Sequence, residues 1–592
     1  MRIPPYARPR DGFSLTGRAP AFFAVLLIGY FLIWPLIMLA FGALRTSPFG
    51  TAGTWTLSGY ATVISDHRTL PTLVATIVYA GVSTACCMLL GLYFATVATR
   101  FSTALHRLIT PAMVVLVATP RLFYALSWGM LGNSNSGLFA SALHRLGVGQ
   151  LPDWATVYSW PGLLLVTSLK LTGFAYLLLY GPVSRIDLSL EDAAVMAGVA
   201  RHRAFFDVTV TALTPALLAA GMLMFVDVLQ VFDLPAVLGM PAGIHTLPIR
   251  VNDYLLETTQ PNWAAASALS TIIVVVIAIL LVVQRRMMRD RDFVTIGGKA
   301  GSSSRADIGR WRIVVDISIL AFLLIAILLP IAQVALGSFQ PFFGLYGVWT
   351  LANYRTAVGD PDVVRALWIT LAIAVVGGFI TVVASFGMAH LMQRRPNTPL
   401  AILSRIGSWV PATAPGIVLS LALLWSYLNT PIVRQLFGTP WLMLFALVVG
   451  SIPIGVRTCE GIVAQVGREV EEAARICGAR NVTAIAEITA RLCTPSLLAA
   501  WFLVGLNISG TLDIPLLLQS INAQTVATMT YQLYTYGKVP QAAAVYCLYL
   551  SCALLVPTVI VIMFGLRRVA RASLPHASRR VAALAEHFRA TR

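Results

Sequence analysis

The stretch AFFAVLLIGYFLIWPLIMLAFGAL, from Ala21 to Leu44, decides the fold class because it contains no charged residue. About 20 consecutive apolar residues are enough for a helix to cross a bilayer. Similar runs recur along the chain, and the last of them finishes near Leu566. Of the 592 residues, 58% are hydrophobic and only 11% are charged, whereas a soluble domain carries about 25% charged residues. We therefore predict an all-α polytopic membrane protein and exclude a soluble one.

The apolar runs predict twelve transmembrane helices. The first is too long for a cleaved signal peptide and lacks a small-x-small cleavage site, so we expect it to remain as a span. The predicted spans cover residues 21–44, 73–99, 108–128, 160–181, 214–238, 264–284, 313–336, 366–392, 406–428, 438–456, 493–517 and 544–566.

The net charge is +18, and the distribution of the basic residues along the chain indicates the orientation of these spans. If the N-terminus is cytoplasmic, the most basic segments all fall on the cytoplasmic side, as the positive-inside rule requires. We therefore expect both termini in the cytoplasm, and we attribute the basic excess to topology and to contact with anionic lipid rather than to nucleic acid. The basic segments predicted to be cytoplasmic are RPRDGFSLTGR, QRRMMRDRDF, QRRP and RRVARASLPHASRR.

The sequence is internally duplicated. WTLSGY at Trp55 returns as WTLANY at Trp349, and TPALLAA at Thr214 returns as TPSLLAA at Thr494. We predict two related halves, 1–295 and 296–592, joined by a linker rich in Gly, Ser and charged residues. Because each half contains six spans, the halves insert as parallel repeats about a pseudo-two-fold axis along the membrane normal. A path on that axis would be lined once by each half, which is typical of a transporter or channel.

One short phrase recurs in the cytoplasmic loop between the fourth and fifth spans of each half. EDAAVMAG begins at Glu191 in the loop 182–213, and EEAARICG begins at Glu471 in the loop 457–492. Acidic residues favour a helix N-terminus and alanine favours a helix interior. The small residues recur three to four positions apart, so they share one helix face that another surface can approach closely. They are Ala194, Ala197, Gly198, Ala474, Cys477 and Gly478.

These helices could simply pack on their own protein. Two matched copies on one side of the membrane, related by a symmetry axis, favour a different interpretation. We predict a pair of docking helices for a symmetric cytoplasmic partner.

The two phrases resemble the EAA loops of the permease subunits of type I ATP-binding-cassette importers. The family pattern is Glu-Ala-Ala, three residues, Gly, nine residues, then Ile-x-Leu-Pro. Asp192 stands at the usual Glu position of the first copy, and neither copy has the final Leu-Pro. The resemblance implies that each loop is a coupling helix seated in a cleft of one ATPase subunit, with the acidic residues and glycines as docking contacts. The ATPase-coupling residues so implied are Glu191, Asp192, Ala193, Ala194, Gly198, Glu471, Glu472, Ala473, Ala474 and Gly478.

The fused, double-length form narrows the resemblance further. FDLPAVLG at Phe232 and LFGTPWLMLFAL at Leu436 resemble stretches of the ferric-iron permeases, which have relatives for thiamine and 2-aminoethylphosphonate. This group implies a location in the bacterial cytoplasmic (inner) membrane and a soluble binding protein outside it that selects the substrate. Ferric iron is the substrate it favours, although the cations Lys170 and Arg121 would also suit an anion such as a phosphonate.

The sequence carries no ATP-binding loop of its own. No GxxxxGK[ST] occurs, and GGKAGSSS at Gly297 has the wrong spacing. We therefore expect that the chain is not an enzyme and holds no cofactor. ATP and Mg²⁺ would be bound by two separate ATPase subunits.

Ionisable residues inside spans are costly and are functional candidates by default. Lys170 could pair with Asp227, face the substrate path, or extend its amine to the interface. For Asp233 and Asp513, at the outer ends of their spans, we favour ordinary interface positions. The candidates for the path are Arg121, Lys170, Asp227, Asn507, Asp233 and Asp513. No His-Cys-carboxylate constellation occurs in the spans, and the seven cysteines form no CxxC pair, so we expect no metal site.

Two other classes of membrane protein are weighed against the importer. A secondary transporter with six-plus-six topology shares the span count and the parallel repeats. It would not need two matched alanine-rich loops, and its usual Asp- and Arg-rich loop after the second span is replaced here by RFSTALHR. A membrane enzyme would need a repeated acid, nucleophile or metal set near an interface, and the sequence shows none.

Overall fold

The computed structural model describes residues 15–47, 51, 53–147, 152–186, 189–256, 260–289, 308–520 and 523–555. Within these ranges the chain is predominantly helical, and an isolated β-bridge joins Arg45 and Trp55. The predicted all-α polytopic fold is confirmed. The boundary between the halves, at 295/296, lies outside the described residues, as do residues 1–14 and the end of the chain from 556.

The helices of the first half follow the predicted order, with extra short helices between them. They are α1 (Leu15–Ile28), α2 (Trp34–Gly42), α3 (Ser58–Ser65), α4 (Thr69–Arg100), α5 (His106–Ala118), α6 (Arg121–Leu131), α7 (Leu138–Arg145), α8 (Trp160–Arg185), α9 (Ser189–Met196), α10 (Arg201–Ala204), α11 (Thr211–Leu229), α12 (Leu247–Leu256) and α13 (Trp263–Arg289).

The second half repeats this order. Its helices are α14 (Trp311–Leu323), α15 (Leu329–Ser338), α16 (Ala352–Gly359), α17 (Pro361–Ala372), α18 (Gly378–Arg394), α19 (Pro399–Trp409), α20 (Gly416–Leu428), α21 (Pro431–Arg434), α22 (Pro440–Val463), α23 (Arg468–Ile476), α24 (Asn481–Thr483), α25 (Ala490–Leu492), α26 (Thr494–Ser509), α27 (Asp513–Leu518), α28 (Val526–Thr535) and α29 (Val539–Leu555).

Eight helical segments in the described residues are long and apolar enough to cross a membrane, and three bent pairs bring the number to eleven. The segment α29 is a further, shorter apolar helix. It covers the first part of the predicted span 544–566, whose remainder lies outside the described residues. The fifth span begins earlier and ends earlier than predicted, since its helix runs over Phe205–Leu229 instead of 214–238.

The third and ninth spans are not the straight helices that the sequence predicted. The chain bends by 99° between α5 and α6 and by 116° between α19 and α20. Pro120 and Pro415 stand immediately before the second helix of each pair, and the preceding Thr119 and Ala414 are extended. Proline lacks the N–H that a continuous helix needs and disfavours helical geometry in the residue before it. The same cause therefore breaks both related spans.

The two halves contact each other through the first span of each half, which packs on the broken span of the other half. The helix α2 packs on α20 of the other half, and α15 packs on α6. Glycines allow this approach: a Cβ on Gly42 would lie 2.2 Å from the Trp425 ring, and one on Gly337 would lie 2.3 Å from Met130 Cε. Trp425 in turn donates to Ser267 Oγ at 2.9 Å. The first span of each half thus covers the broken span of its partner half.

Within each half, the second and fourth spans pack at small residues. A Cβ on Gly91 of α4 would lie 2.8–2.9 Å from Ala175 and the backbone of Tyr176 on α8. In the second half the glycine lies on the fourth span instead of the second. A Cβ on Gly455 of α22 would lie 2.4 Å from Ser385 Oγ of α18. Close approach of this kind is how membrane helices gain van der Waals contact without a hydrophobic driving force.

We predict opposite effects for the same substitution at two glycines of α4. Gly91→Ala forces α4 away from the backbone of α8 and should lower the free energy of unfolding by about 1–3 kcal/mol. A Cβ added to Gly81 would meet nothing within 4 Å, so Gly81→Ala should raise it by about 0.5–1 kcal/mol. Thermal unfolding of the detergent-purified protein measures both. A Gly91→Ala protein as stable as the native one would contradict the close packing.

Candidate functional site

The two repeated loops form matching short helices, α9 and α23. The pattern of exposure is nearly identical in the two copies, position by position. Both helices end in the same way: Gly198 has φ +92° and Gly478 has φ +90°. The next residue, Val199 or Ala479, donates its backbone N–H to the carbonyl of Ala194 or Ala474. This is the Schellman ending, which favours glycine because of the left-handed backbone.

In the first half, the carboxylate of Glu191 points into the protein. It pairs with Arg100, the last residue of α4, and accepts a hydrogen bond from the Thr209 hydroxyl. Arg100 also donates to Thr209 Oγ1 at 3.2 Å. Thr209 lies in the π-helical turn Phe205–Val210 at the base of the fifth span. One carboxylate therefore joins the end of the second span, the loop helix and the base of the fifth span.

In the second half, Glu471 makes the same connection. Its Oε1 accepts hydrogen bonds from Arg394 Nε at 3.2 Å and from Thr489 Oγ1 at 2.7 Å. Arg394 is the last residue of α18, and Thr489 ends the π-helical turn Ala484–Thr489. His390 adds a contact, with Nε2 lying 3.2 Å from both carboxylate oxygens. Burial alone would raise the pKa of Glu471, but the Thr489, His390 and Arg394 contacts outweigh it and lower that pKa below its usual value.

The neighbouring positions face away from the protein. Asp192, Ala193, Glu472 and Ala473 are exposed, as are both helix-ending glycines, while Ala194 and Ala474 are half-buried. The structure thus separates the ten predicted coupling residues into an inward pair, Glu191 and Glu471, a half-buried pair, Ala194 and Ala474, and an outward set of six. Their contact with an ATPase stays a prediction.

Sequence reasoning missed the most exposed apolar side chains of these helices. Met196 is 88% exposed and Ile476 is 86% exposed, and both precede the helix-ending turn at equivalent positions. Their matched exposure at equivalent positions of the two loop helices makes both side chains candidates for a contact with another protein. A helical wheel places them on the side opposite the inward-pointing Glu191 and Glu471, so the signal was present in the sequence.

Inside the membrane region, Asp227 pairs with Arg121 and not with Lys170. Arg121 Nη2 lies 2.9 and 2.7 Å from the two Asp227 carboxylate oxygens. Lys170 is buried and donates from Nζ to the carbonyl of Leu116. Of the three alternatives for Lys170, the pair with Asp227 is therefore wrong, because the break at Pro120 turns Arg121 toward α11 instead.

The expectation of ordinary interface positions for the two other acids is also wrong for Asp233. Only 7% of Asp233 is exposed, its Oδ1 has no hydrogen-bond partner among the described residues, and it interacts electrostatically with Asp513 of the other half. Asp513 sits against the N-terminus of α20, where a Cβ on Gly416 would lie 1.8 Å from Oδ2. A carboxylate is favoured at such a helix end.

The two halves cross at this polar centre. A Cβ on Gly510, which follows α26, would lie 2.2 Å from Pro120 of the first half. At the equivalent position after α11, Gln230 Nε2 donates to the Ala412 carbonyl of the second half at 3.0 Å. Asn507, the repeat partner of Asp227, is exposed. The polar centre comprises Arg121, Asp227, Asp233 and Asp513, with Lys170 buried beside it.

No three His, Cys, Asp or Glu side chains within the described ranges come together as metal ligands. The absence of a metal site stays a prediction for the whole chain.

Comparison with known proteins decides the family. Residues 87–289 and 381–573 match the binding-protein-dependent transport system inner membrane component. The chain belongs to this family. The family segment occurs twice, and each copy begins in the second span and includes the broken span and the repeated loop. The resemblance to importer permeases, drawn from the EAA loops, is confirmed.

Several curated members of the permease family are similar to this chain. A putative ferric transport system permease protein of Haemophilus influenzae is 21% identical over 487 residues, which cover 80% of this chain and 74% of the relative. A ferric transport system permease protein of Actinobacillus pleuropneumoniae is 22% identical over 358 residues, which cover 59% of this chain and 50% of the relative. A putative 2-aminoethylphosphonate transport system permease protein of Salmonella paratyphi A is 27% identical over 227 residues, which cover 38% of this chain and 76% of the relative.

A double-mutant cycle in this permease tests the charge pairing. Arg121→Met and Asp227→Leu should each destabilise the protein, because each leaves a charge without its partner. Combined, they should show an interaction energy of about 0.5–3 kcal/mol in the free energy of unfolding. The matched cycle of Lys170→Met with Asp227→Leu should give a smaller interaction energy. Equal or larger coupling for Lys170 would contradict the observed pairing.

Proposed function

We propose that this chain is the membrane-spanning permease subunit of an ATP-driven, binding-protein-dependent importer. The paired coupling helices α9 and α23 carry the proposal, because two matched outward surfaces on one side of the membrane suit two copies of one partner. That partner is a pair of cytoplasmic ATPase subunits, which bind ATP and Mg²⁺. A soluble binding protein delivers the substrate on the other side. Both termini are cytoplasmic, and the membrane is the bacterial inner membrane.

The mechanism follows from the two-fold arrangement. ATP binding closes the two ATPase subunits and draws α9 and α23 together. The spans then rock about the pseudo-two-fold axis, and the path opens outward to the binding protein. ATP hydrolysis resets the permease. The break at Pro120 contacts Gly510, at the end of α26 in the other half, so this contact lies where such rocking would separate the halves.

Ferric iron is the proposed substrate. Two of the relatives are named as ferric transport permeases, and the charges of the polar centre suit a cation better than an anion. Its arginine, Arg121, is already paired with Asp227, and Lys170 is bound to a backbone carbonyl. Asp233, by contrast, has a carboxylate oxygen without a hydrogen-bond partner among the described residues. Substrates such as 2-aminoethylphosphonate or thiamine are the alternatives within the same importer class.

Reconstitution tests the transport function. The permease is placed in liposomes with its ATPase, and ferric-loaded binding protein is supplied on the side opposite the ATPase. We expect iron uptake that requires ATP. Uptake driven by an ion gradient without ATP would favour the secondary transporter. ATP-dependent uptake of 2-aminoethylphosphonate or thiamine, without iron uptake, would replace the substrate but not the importer.

The docking surface is tested at Met196 and Ile476. The double variant Met196→Ser/Ile476→Ser should weaken ATPase association by at least about 5-fold, because large apolar residues dominate interface energies. Co-purification and titration of the ATPase measure this. Ile432→Ser is the control, since Ile432 is 80% exposed on α21 in the loop after the ninth span. These positions serve better than the helix-ending glycines, where any side chain strains the backbone. Unchanged association would contradict docking through these residues.

A further inference from the structure

Each coupling helix is joined to two spans through one inward-pointing carboxylate, which is buried in the case of Glu471 and 12% exposed in the case of Glu191. Glu191 and Glu471 stand 280 residues apart, and so do the threonines that donate to them, Thr209 and Thr489. The arginines that pair with them are the last residues of equivalent helices, α4 and α18. The Glu position of the family motif falls on Asp192 and Glu472, one position further along the chain. Glu191 and Glu471, which were also predicted as docking contacts, point into the protein instead, so their inward contacts have to account for them.

Burial makes these connections stiff. Glu471 is 5% exposed and Arg100 is 4% exposed. Charges removed from water persist only when they are paired and hydrogen-bonded, and separating such a pair leaves a buried charge alone. A coupling helix that moved independently of the second and fifth spans would have to pull these charges apart. It is therefore easier for the three elements to move together.

We propose that Glu191 and Glu471 are positioning residues that transmit the motion of the coupling helices into the spans. The proposal rests on the function proposed above. Each carboxylate and its partners form a joint: Glu191, Arg100 and Thr209 in the first half, and Glu471, Arg394, His390 and Thr489 in the second. When an ATPase subunit moves a coupling helix, the joint moves the end of the second span and the base of the fifth span with it.

The joint of the second half has more hydrogen bonds and contacts than the joint of the first half. Arg394 also donates from Nη2 to the Val466 carbonyl at 2.7 Å, and His390 adds its contact to Glu471. The corresponding Arg100 has two buried nitrogens, Nε and Nη2, without hydrogen-bond partners in the described part of the chain. Thr96 occupies the position related to His390 and bonds the carbonyl of Leu92 instead. The second joint should therefore contribute more to coupling.

The experiment measures association, ATP hydrolysis and transport separately in the reconstituted complex. Glu471→Gln and Glu191→Gln should still bind the ATPase subunits and hydrolyse ATP, but substrate transported per ATP should fall by roughly 2- to 30-fold. The loss should be larger for Glu471→Gln. Thr489→Val, which removes only the hydroxyl link to the fifth span, should lower the same ratio without changing the charge.

Two sets of variants serve as controls. Asp192→Asn and Glu472→Gln neutralise the outward acids. They should weaken ATPase association and leave the amount of substrate transported per ATP unchanged. Glu487→Gln removes an exposed carboxylate from the π-helical turn that contains Thr489, and its transport ratio should match the native protein. A general loss of stability lowers the amount of folded complex but leaves the transport per ATP of the surviving complex unchanged.

An unchanged ratio of transport to ATP hydrolysis in the Gln variants and in Thr489→Val would overturn the joint while leaving the importer intact. Loss of ATPase association in the Gln variants would also overturn it, since Glu191 and Glu471 would then be docking contacts. If a Gln variant does not fold, Thr489→Val decides the result. Failure of the native complex to use ATP would instead refute the proposed function.

Discussion

In each half, three helical elements meet on one inward-pointing carboxylate, and the position of the loop helix relative to the spans depends on this contact. The arginine lies at the end of the second span, the carboxylate on the coupling helix, and the threonine at the base of the fifth span. Because the charges are buried, the contact costs free energy to break and is geometrically narrow. It turns a short loop helix, which would be marginal alone, into a fixed extension of two spans.

The polar centre obeys a second constraint, that irregular backbone within a membrane must be shielded from lipid. The breaks at Pro120 and Pro415 fall where the halves cross, so their free backbone groups lie against protein. The charges follow the same rule: Arg121 is paired with Asp227, and Asp513 rests on a helix N-terminus. Since Gly416 replaces Arg121 and Asn507 replaces Asp227, the two halves differ in chemistry at equivalent positions. The symmetry of the fold is therefore broken around the polar centre, which we propose as part of the substrate path.

The fold and the loops were predictable because their signals are local or periodic. Apolar length indicates a span, and an acidic start followed by alanines indicates a short helix. The duplication then placed both loops on one side of the membrane. Even the broken spans carried a local signal, since Thr119-Pro120 and Ala414-Pro415 lie within apolar runs. Apolar length alone, however, predicts one unbroken helix for each of these runs.

The contacts of charged residues were not predictable in the same way. Successive helix residues point about 100° apart, so Glu191 and Asp192 face different directions, but the sequence does not say which of them the protein covers. Likewise Lys170 and Arg121 were both available to Asp227, and only the bend at Pro120 brings one of them close. The burial of Asp233 depends on Asp513 and Leu512 of the other half, which no local pattern reveals.

The most direct measurement follows the base of each fifth span and its coupling helix together. Spin labels are placed at Phe206 and Ala486, at the bases of the fifth spans, and in a second sample at Ala200 and Arg480, just beyond the coupling helices. Distances are measured in a chain without native cysteines, in complex with the ATPase, before and after ATP is trapped. Rigid joints predict that both distances shorten together. Shortening between the coupling helices with no change between the span bases would contradict the account.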